Sequence, residues 1–373
     1  MKTKRKIPVN TPLITKSDAI EVYKVVKSGW VSSAGAKILD FEEELSKFVK
    51  RRFACCVSSG TAALEIAVKS LNIKKGSEVI TPAFSIISNT NAIIKNNLKP
   101  ILIDTDISTW NINIDDLEKK INKKTKAIML PHIYGFSNDM DKILKICKKN
   151  NLFLIEDAAE MIGQSYKGKP CGSFGDISIF SFYANKHITT GEGGAIFCNN
   201  KAIYDRCKNL RNLNFGKTNR FNHEGLGWNY RFTNMQAALG LNQLKRIDKI
   251  VKKKREIGNF FYNNLKKNKN IIIQKPLLDY CKNIYWIFGI LIKDSNRKNT
   301  QQVRKKLLKL GIETRDFFWP MHKQNIYKKM GFFKGQSFPV AEYMATNGFY
   351  IPSGLGLKKS EMIKICKCIN KIL

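Results

Sequence analysis

Apolar positions along the chain fall into short blocks of two recurring kinds. Uninterrupted apolar runs occur at Ala54–Val57, Val79–Ile80, Pro100–Ile103, Ala127–Leu130 and Leu152–Ile155, and a strand-like run broken only by two serines at Ile177–Phe182. Runs this short suit strands buried on both faces. Between them lie segments with helical spacing: a stretch following the strand end within TPAFSIISNTNAII at 81–94, then Asp115–Ile121 and Met140–Cys147. Upstream, residues 15–28 place Ile20, Val22, Tyr23, Val25 and Val26 on one side, and Leu39–Val49 repeats the pattern through Phe41, Leu45 and Phe48. Strands separated by helices predict an α/β fold, with a mainly parallel sheet between two helical layers.

Past Gly225 the pattern changes. GLGWNYRFTNMQAALGLNQLKRID, Gly225 to Asp248, reads as a polar loop entering a long amphipathic helix. A basic helix continues to about residue 265. A strand at Tyr285–Leu291, a helix at Gln301–Leu310, the loop GIETRDFFWPMH and a last helix from about Ser360 to Leu373 suggest a smaller α+β unit. The predicted division is a large domain over 1–248 and a small C-terminal domain over 249–373, with the N-terminal segment free to pack on the latter. A chain of 373 residues is long enough for two such units.

Composition narrows the setting. No apolar run reaches the roughly 18 residues of a membrane span, and the charged N-terminus lacks the apolar segment of a secretory signal. The nine cysteines are scattered and odd in number. That points to reduced thiols in a cytoplasmic protein without structural zinc or another metal. The net charge of +35 raises nucleic-acid binding as an option. The lysines are spread along the whole chain, however, and runs such as Lys252–Lys254 read as solvated helix faces. No nucleic-acid module accompanies them. Neither nucleic acid nor membrane is an expected partner, although the charge can steer anionic, diphosphate-bearing substrates.

Candidate chemistry concentrates between Ile155 and Phe197. One strand delivers Glu156 and Asp157 at its end, and Lys186 stands between the next strand and the cluster Gly191, Gly193 and Gly194. Ligands collect at the carboxyl ends of strands in open α/β sheets. In pyridoxal phosphate (PLP) enzymes, a lysine holds the cofactor as a Schiff base and a carboxylate partners its ring nitrogen. Taken alone, Lys186 reads as one solvated surface charge among the chain's 65 Lys and Arg, and Asp157 as a helix cap or turn former. Ser58-Ser59-Gly60-Thr61 opens a helix, which is either an ordinary cap or a phosphate cradle. Phe84, just past a strand end, is either a core residue or a platform for an aromatic ring.

SSGTAALEIA, IEDAAE, GSFGDISIFSFYANKHITTGEGGAIF and NYRFTNMQAALGLNQL together resemble the fold-type I PLP enzymes of the nucleotide-sugar aminotransferase (DegT/StrS-like) group, nearly end to end. The resemblance implies that Lys186 carries the cofactor and shuttles the proton, and that Asp157 keeps the ring nitrogen protonated. It implies Phe84 stacked on the ring and Glu160 near the ring hydroxyl, with Gly60, Thr61 and Ser181 on the phosphate. Asn229 would reach that phosphate from a neighbouring subunit, making the enzyme a homodimer with shared sites. Lysine rather than histidine at position 186 favours transamination over the dehydration catalysed by some relatives, His187 merely following it. Ser85 replaces a common threonine, a mild departure. A non-catalytic regulator on this fold would be expected to lose Lys186 or Asp157.

The expected reaction moves an amino group from glutamate, through pyridoxamine phosphate, to a nucleotide-linked 4-keto-6-deoxy sugar. The segments SGWVSS, HIYG and ETRDFFWPMH are most similar to members acting on a GDP-linked 4-keto-6-deoxymannose, with UDP- or dTDP-linked sugars as the alternative. Trp30, Arg231, Arg315 and His322 are the substrate-pocket candidates. Each also has a plainer role: packing for Trp30, a satisfied loop histidine for His322, ion pairs for the arginines.

Overall fold

The structure, a computed structural model, describes residues 6–216, 219–223 and 225–373. Helix α1 (Lys16–Lys27) starts in a capping box, in which the Thr15 hydroxyl accepts from Asp18 N–H while the Asp18 carboxylate accepts from Thr15 N–H. Helix α2 (Ala36–Val49) leads into β1 (Phe53–Val57) and α3 (Gly60–Ser70). Then come β2 (Glu78–Pro82), α4 (Ile87–Lys95), β3 (Lys99–Ile103), α5 (Ile114–Lys120), β4 (Thr125–Pro131), α6 (Met140–Asn150) and β5 (Phe153–Asp157). A small hairpin, β6 (Ser165–Tyr166) with β7 (Lys169–Pro170), precedes β8 (Ile177–Ser181), β9 (Gly194–Cys198) and α7 (Lys201–Arg211).

Seven of these strands form one sheet in the order β1-β9-β8-β5-β4-β2-β3. Only β9 runs against the others, pairing antiparallel with both β1 and β8. The apolar runs seen in the sequence are its strands, and burial on both faces explains why they do not alternate with polar residues. One apolar cluster, around Phe41, Phe180 and Phe197, packs α2 and the later helix α8 (Asn234–Leu244) against one side. Another, around Leu64, Ile66 and Ile155, packs α3 against the other.

The long helix expected up to Asp248 is instead two, α8 (Asn234–Leu244) and α9 (Ile247–Leu265). At the break, Arg246 leaves helical geometry and gives its guanidinium to the buried Asp18 carboxylate of α1 at 2.6 and 2.7 Å. The run Lys252–Lys254 is not wholly solvated. Lys254 is buried, donating to the carbonyls of Trp286 at 3.1 Å and Ser353 at 2.7 Å, and burial lowers its pKa to about 7.

The rest of the chain builds a second, antiparallel sheet. Its strands are β10 (Ile271–Ile272), β13 (Phe288–Ile292), β14 (Arg315–Asp316) and β15 (Gly348–Ile351), in the order β10-β13-β15-β14. A hairpin of β11 (Leu277–Leu278) and β12 (Cys281–Lys282) precedes β13, and helices α10 (Arg297–Lys309), α11 (Asn325–Lys329), α12 (Pro339–Asn347) and α13 (Lys359–Ile372) complete the chain. Near the N-terminus, Ile7 pairs in parallel with Ile312. The Asp104 carboxylate, just beyond β3, accepts from Val340 and Ala341 N–H at the start of α12 and so ties the two sheets together. Among the described residues, no helix is long and apolar enough to cross a membrane.

Candidate active site

The carboxyl ends of β2, β4, β5 and β8 and the N-terminus of α3 surround a cavity of 380 Å³. Asp157, the last residue of β5, lines it while 3% exposed. Its Oδ2 accepts from Asn89 Nδ2 at 2.8 Å and its Oδ1 from Ala159 N–H at 3.0 Å. Burial raises its pKa against these bonds and the charge of Lys186. Asn89 Oδ1 in turn accepts from the Ser85 hydroxyl at 2.9 Å, which fixes the amide. Glu160, one turn later, accepts from Tyr134 N–H at 2.7 Å, and burial pushes its pKa up to about 8.

Lys186 follows β8 and enters the cavity with Nζ 3.9 Å from the centroid of the Trp286 ring. Burial lowers its pKa, while Glu160 and Asp157 oppose the shift from further off. No carboxylate among the described residues forms a salt bridge with it. Poor solvation brings this amine closer to its neutral, nucleophilic form than a surface lysine, with the ring face and the two carboxylates opposing that shift.

At the other end of the cavity, Ser59 caps α3 by accepting from Ala62 N–H at 3.0 Å. Gly60, Thr61 and Ser181 line the wall there, with the Thr61 and Ser88 hydroxyls 2.9 Å apart. A Cβ at Gly60 would fall 2.9 Å from Ser181 Cβ. One at Gly194 would fall 2.6 Å from the Ser59 carbonyl oxygen, so bare backbone lets β9 lie against this turn. Amide groups at a helix N-terminus beside hydroxyls make a phosphate site. Acid, amine and anion cradle around one cavity thus fit pyridoxal phosphate by the chemistry of the donor set.

Several expected contributors lie elsewhere. Phe84 is fully buried in the aromatic cluster of Trp110, Tyr134, Phe317 and Phe318, and does not line the cavity. Ile86, 41% exposed, lines it instead. The turn after β2 points Phe84 inward to join the two sheets, so a flat face for a cofactor ring is not available from it. His322 is also buried away from the cavity, its Nε2 2.8 Å from Glu342 Oε1 and its ring against Phe338. Trp30 is 63% exposed on a separate groove with Glu21, Val25 and Asn234. Arg231 donates to Asn212 Oδ1 at 2.9 Å, and the exposed Asn229 bridges Asn212 through its backbone; neither lines the cavity of its own chain. Arg315 lines a second, adjoining cavity.

The cavity also recruits residues not singled out from the sequence, Trp286 and Tyr350, and Phe318 of the ETRDFFWPMH segment, all from the second sheet and its loops. His132, in the cavity wall, also belongs to a buried group with Glu156 and Cys171 at metal-ligand separations. Its donors are already committed. His132 Nδ1 accepts from Asn138 N–H, Glu156 accepts from Gly172 and Phe174 N–H, and burial keeps Cys171 a thiol.

Residues 12–370 match the DegT/DnrJ/EryC1/StrS aminotransferase family. The chain is 40% identical over 365 residues to the GDP-perosamine synthase of Escherichia coli O157:H7, covering 98% of each protein. It is 36% identical to the GDP-perosamine synthase of Vibrio cholerae, again over 98% of each. Among solved structures it is similar to Helicobacter pylori PseC, an aminotransferase involved in the biosynthesis of pseudoaminic acid, with a TM-score of 0.93 at 27% identity over 99% of both chains.

Proposed function

The chain belongs to the DegT/DnrJ/EryC1/StrS aminotransferase family, and from that premise we propose that it aminates GDP-4-keto-6-deoxymannose with glutamate as donor, yielding GDP-perosamine. The enzyme is a PLP-dependent sugar aminotransferase. The observation that carries the proposal is the unbridged Lys186 amine facing the same cavity as Asp157, Glu160 and the open turn of α3. Full-length similarity to two GDP-perosamine synthases supports the choice of sugar.

When bound, pyridoxal phosphate supplies a carbonyl that links to amines and a ring that takes up the electrons released as an adjacent proton leaves. Asp157 would hold a proton at the ring nitrogen, its carboxylate oriented by Asn89 and Ala159 N–H. Gly60, Thr61 and Ser181 would hold the phosphate at the positive end of α3. Glu160 would face the ring hydroxyl. The Lys186 amine, its basicity lowered by burial, would take the proton from the donor carbon and return it to the sugar carbon. Trp286 and Phe318 would wall the pocket against water. Asn229 would serve the site of a second copy in a cytoplasmic homodimer, and the chain would divide near residue 248 into a cofactor-binding and a smaller domain.

The test is product analysis with glutamate and GDP-, UDP- or dTDP-linked 4-keto-6-deoxy sugars. The expected outcome is a GDP-linked amino sugar formed together with an equal amount of 2-oxoglutarate. Faster turnover of a UDP- or dTDP-linked sugar would overturn the choice of nucleotide. No 2-oxoglutarate with any sugar would overturn the reaction.

A further inference from the structure

Against the Lys186 cavity lies a second one of 200 Å³, and Tyr183, Asn185, Trp286 and Tyr350 form walls of both. Its far side carries Glu313 and Arg315, and the N-terminal segment from Pro8 to Pro12 contributes to it. That segment is held in place by the pairing of Ile7, whose carbonyl accepts from Glu313 N–H at 3.1 Å. Glu313 and Arg315 lie two positions apart in the extended backbone entering β14. Side chains at such positions project to one side, about 7 Å apart.

Their charges are not used internally. Neighbouring Arg304 is committed to Thr314 and Asp316. The side chains of Glu313 and Arg315 have no hydrogen-bond or ion-pair partner among the described residues, although Glu313 is half-buried. Tyr350, a wall of both cavities, shares the first with Glu160 and the second with Arg315. Beyond Glu313 the surface opens into a groove bordered by Lys6, Arg304 and Lys305.

We propose that the second cavity receives the diphosphate and ribose of the substrate, with Arg315 on the diphosphate and Glu313 on the ribose 2′-hydroxyl. The assignment rests on the nucleotide-sugar activity proposed above and adds a selectivity to it. A guanidinium is the suited partner for phosphate oxygens. A carboxylate repels phosphate but accepts from ribose hydroxyls. The spacing of the two side chains is of the order of the distance from a diphosphate to the ribose 2′-oxygen. With the sugar at Lys186, the order along the ligand is keto sugar, diphosphate, ribose. The enzyme therefore distinguishes ribonucleotides from 2′-deoxyribonucleotides, which disfavours dTDP-linked sugars whatever the base.

Calorimetric titration of the PLP-loaded enzyme with GDP and with 2′-deoxy-GDP tests this. A hydrogen bond to a charged group makes GDP bind about tenfold or more tightly than the deoxy form. Glu313→Ala should erase that difference, and Arg315→Ala should weaken both ligands alike. Retention of the protein-bound cofactor band serves as the folding control for each variant. Equal binding of the two nucleotides by the unaltered enzyme, or a preference that survives Glu313→Ala, overturns the assignment while leaving the aminotransferase activity standing. Failure of either nucleotide to bind an enzyme that still converts glutamate overturns the nucleotide-sugar proposal as well.

Discussion

The Glu160 carboxyl, raised to about 8 by burial, is mainly protonated near neutral pH and can donate as well as accept a hydrogen bond. The shift has a consequence for stability. Between the ordinary value of 4.5 and about 8, the folded chain binds more protons here than the unfolded chain. This contribution is therefore fully present below pH 4.5 and lost as the pH rises through 8. The thermal midpoint of the cofactor-free enzyme should lose part of its downward slope over that window in Glu160→Gln. Parallel curves for the two proteins would contradict the assignment. At this scale the sequence was informative where chemistry needs a residue type beside a chain landmark: Lys186, Asp157, Glu160, Gly60, Thr61 and Ser181 do share one cavity. The burial of Phe84 was not legible, because neither the resemblance nor the spacing says which of two nearby turn residues, Phe84 or Ile86, faces inward.

At the scale of elements, the turn after β4 links the cavity to the second sheet. Tyr134 takes a φ of +63°, a region unfavourable for a bulky side chain. There its N–H meets Glu160, and its hydroxyl oxygen accepts from Phe318 N–H at 3.0 Å. Its ring packs beside Trp286 and Phe318, two cavity walls. Tyr134→Phe keeps the ring but leaves a backbone donor unpaired, at a cost of about 1–3 kcal/mol. The expected result is a raised KM for the keto sugar, larger than any change in KM for glutamate. An equal effect on both substrates, or none, would count against Phe318 as a substrate wall positioned in this way. Most strands of the large sheet were legible because burial on two faces leaves plain apolar runs. Strand β9 was not, since its glycine-rich approach reads as a turn, and the α8–α9 break depends on Arg246 reaching Asp18 from far along the chain.

On the whole-molecule scale, α1, α2 and the loop between them leave Ile20, Tyr23, Val26, Trp30 and Leu39 at the surface, apolar area of the kind buried between subunits. Asn229 stands exposed outside the cavity of its own chain. If it completes the site of a second copy, Lys186→Ala and Asn229→Ala chains, each impaired alone, should regain activity when coexpressed, because a mixed dimer contains one intact site. A mixture no more active than its components would rule out sharing. The central claim is that Lys186 carries the cofactor and glutamate supplies the amine. It is tested most directly by the absorbance spectrum of the purified, PLP-supplied enzyme before and after glutamate. The expected result is a band of lysine-bound cofactor that converts to the pyridoxamine form with glutamate and is missing in Lys186→Ala. A band that never forms, that persists in Lys186→Ala, or that glutamate leaves unchanged would contradict it.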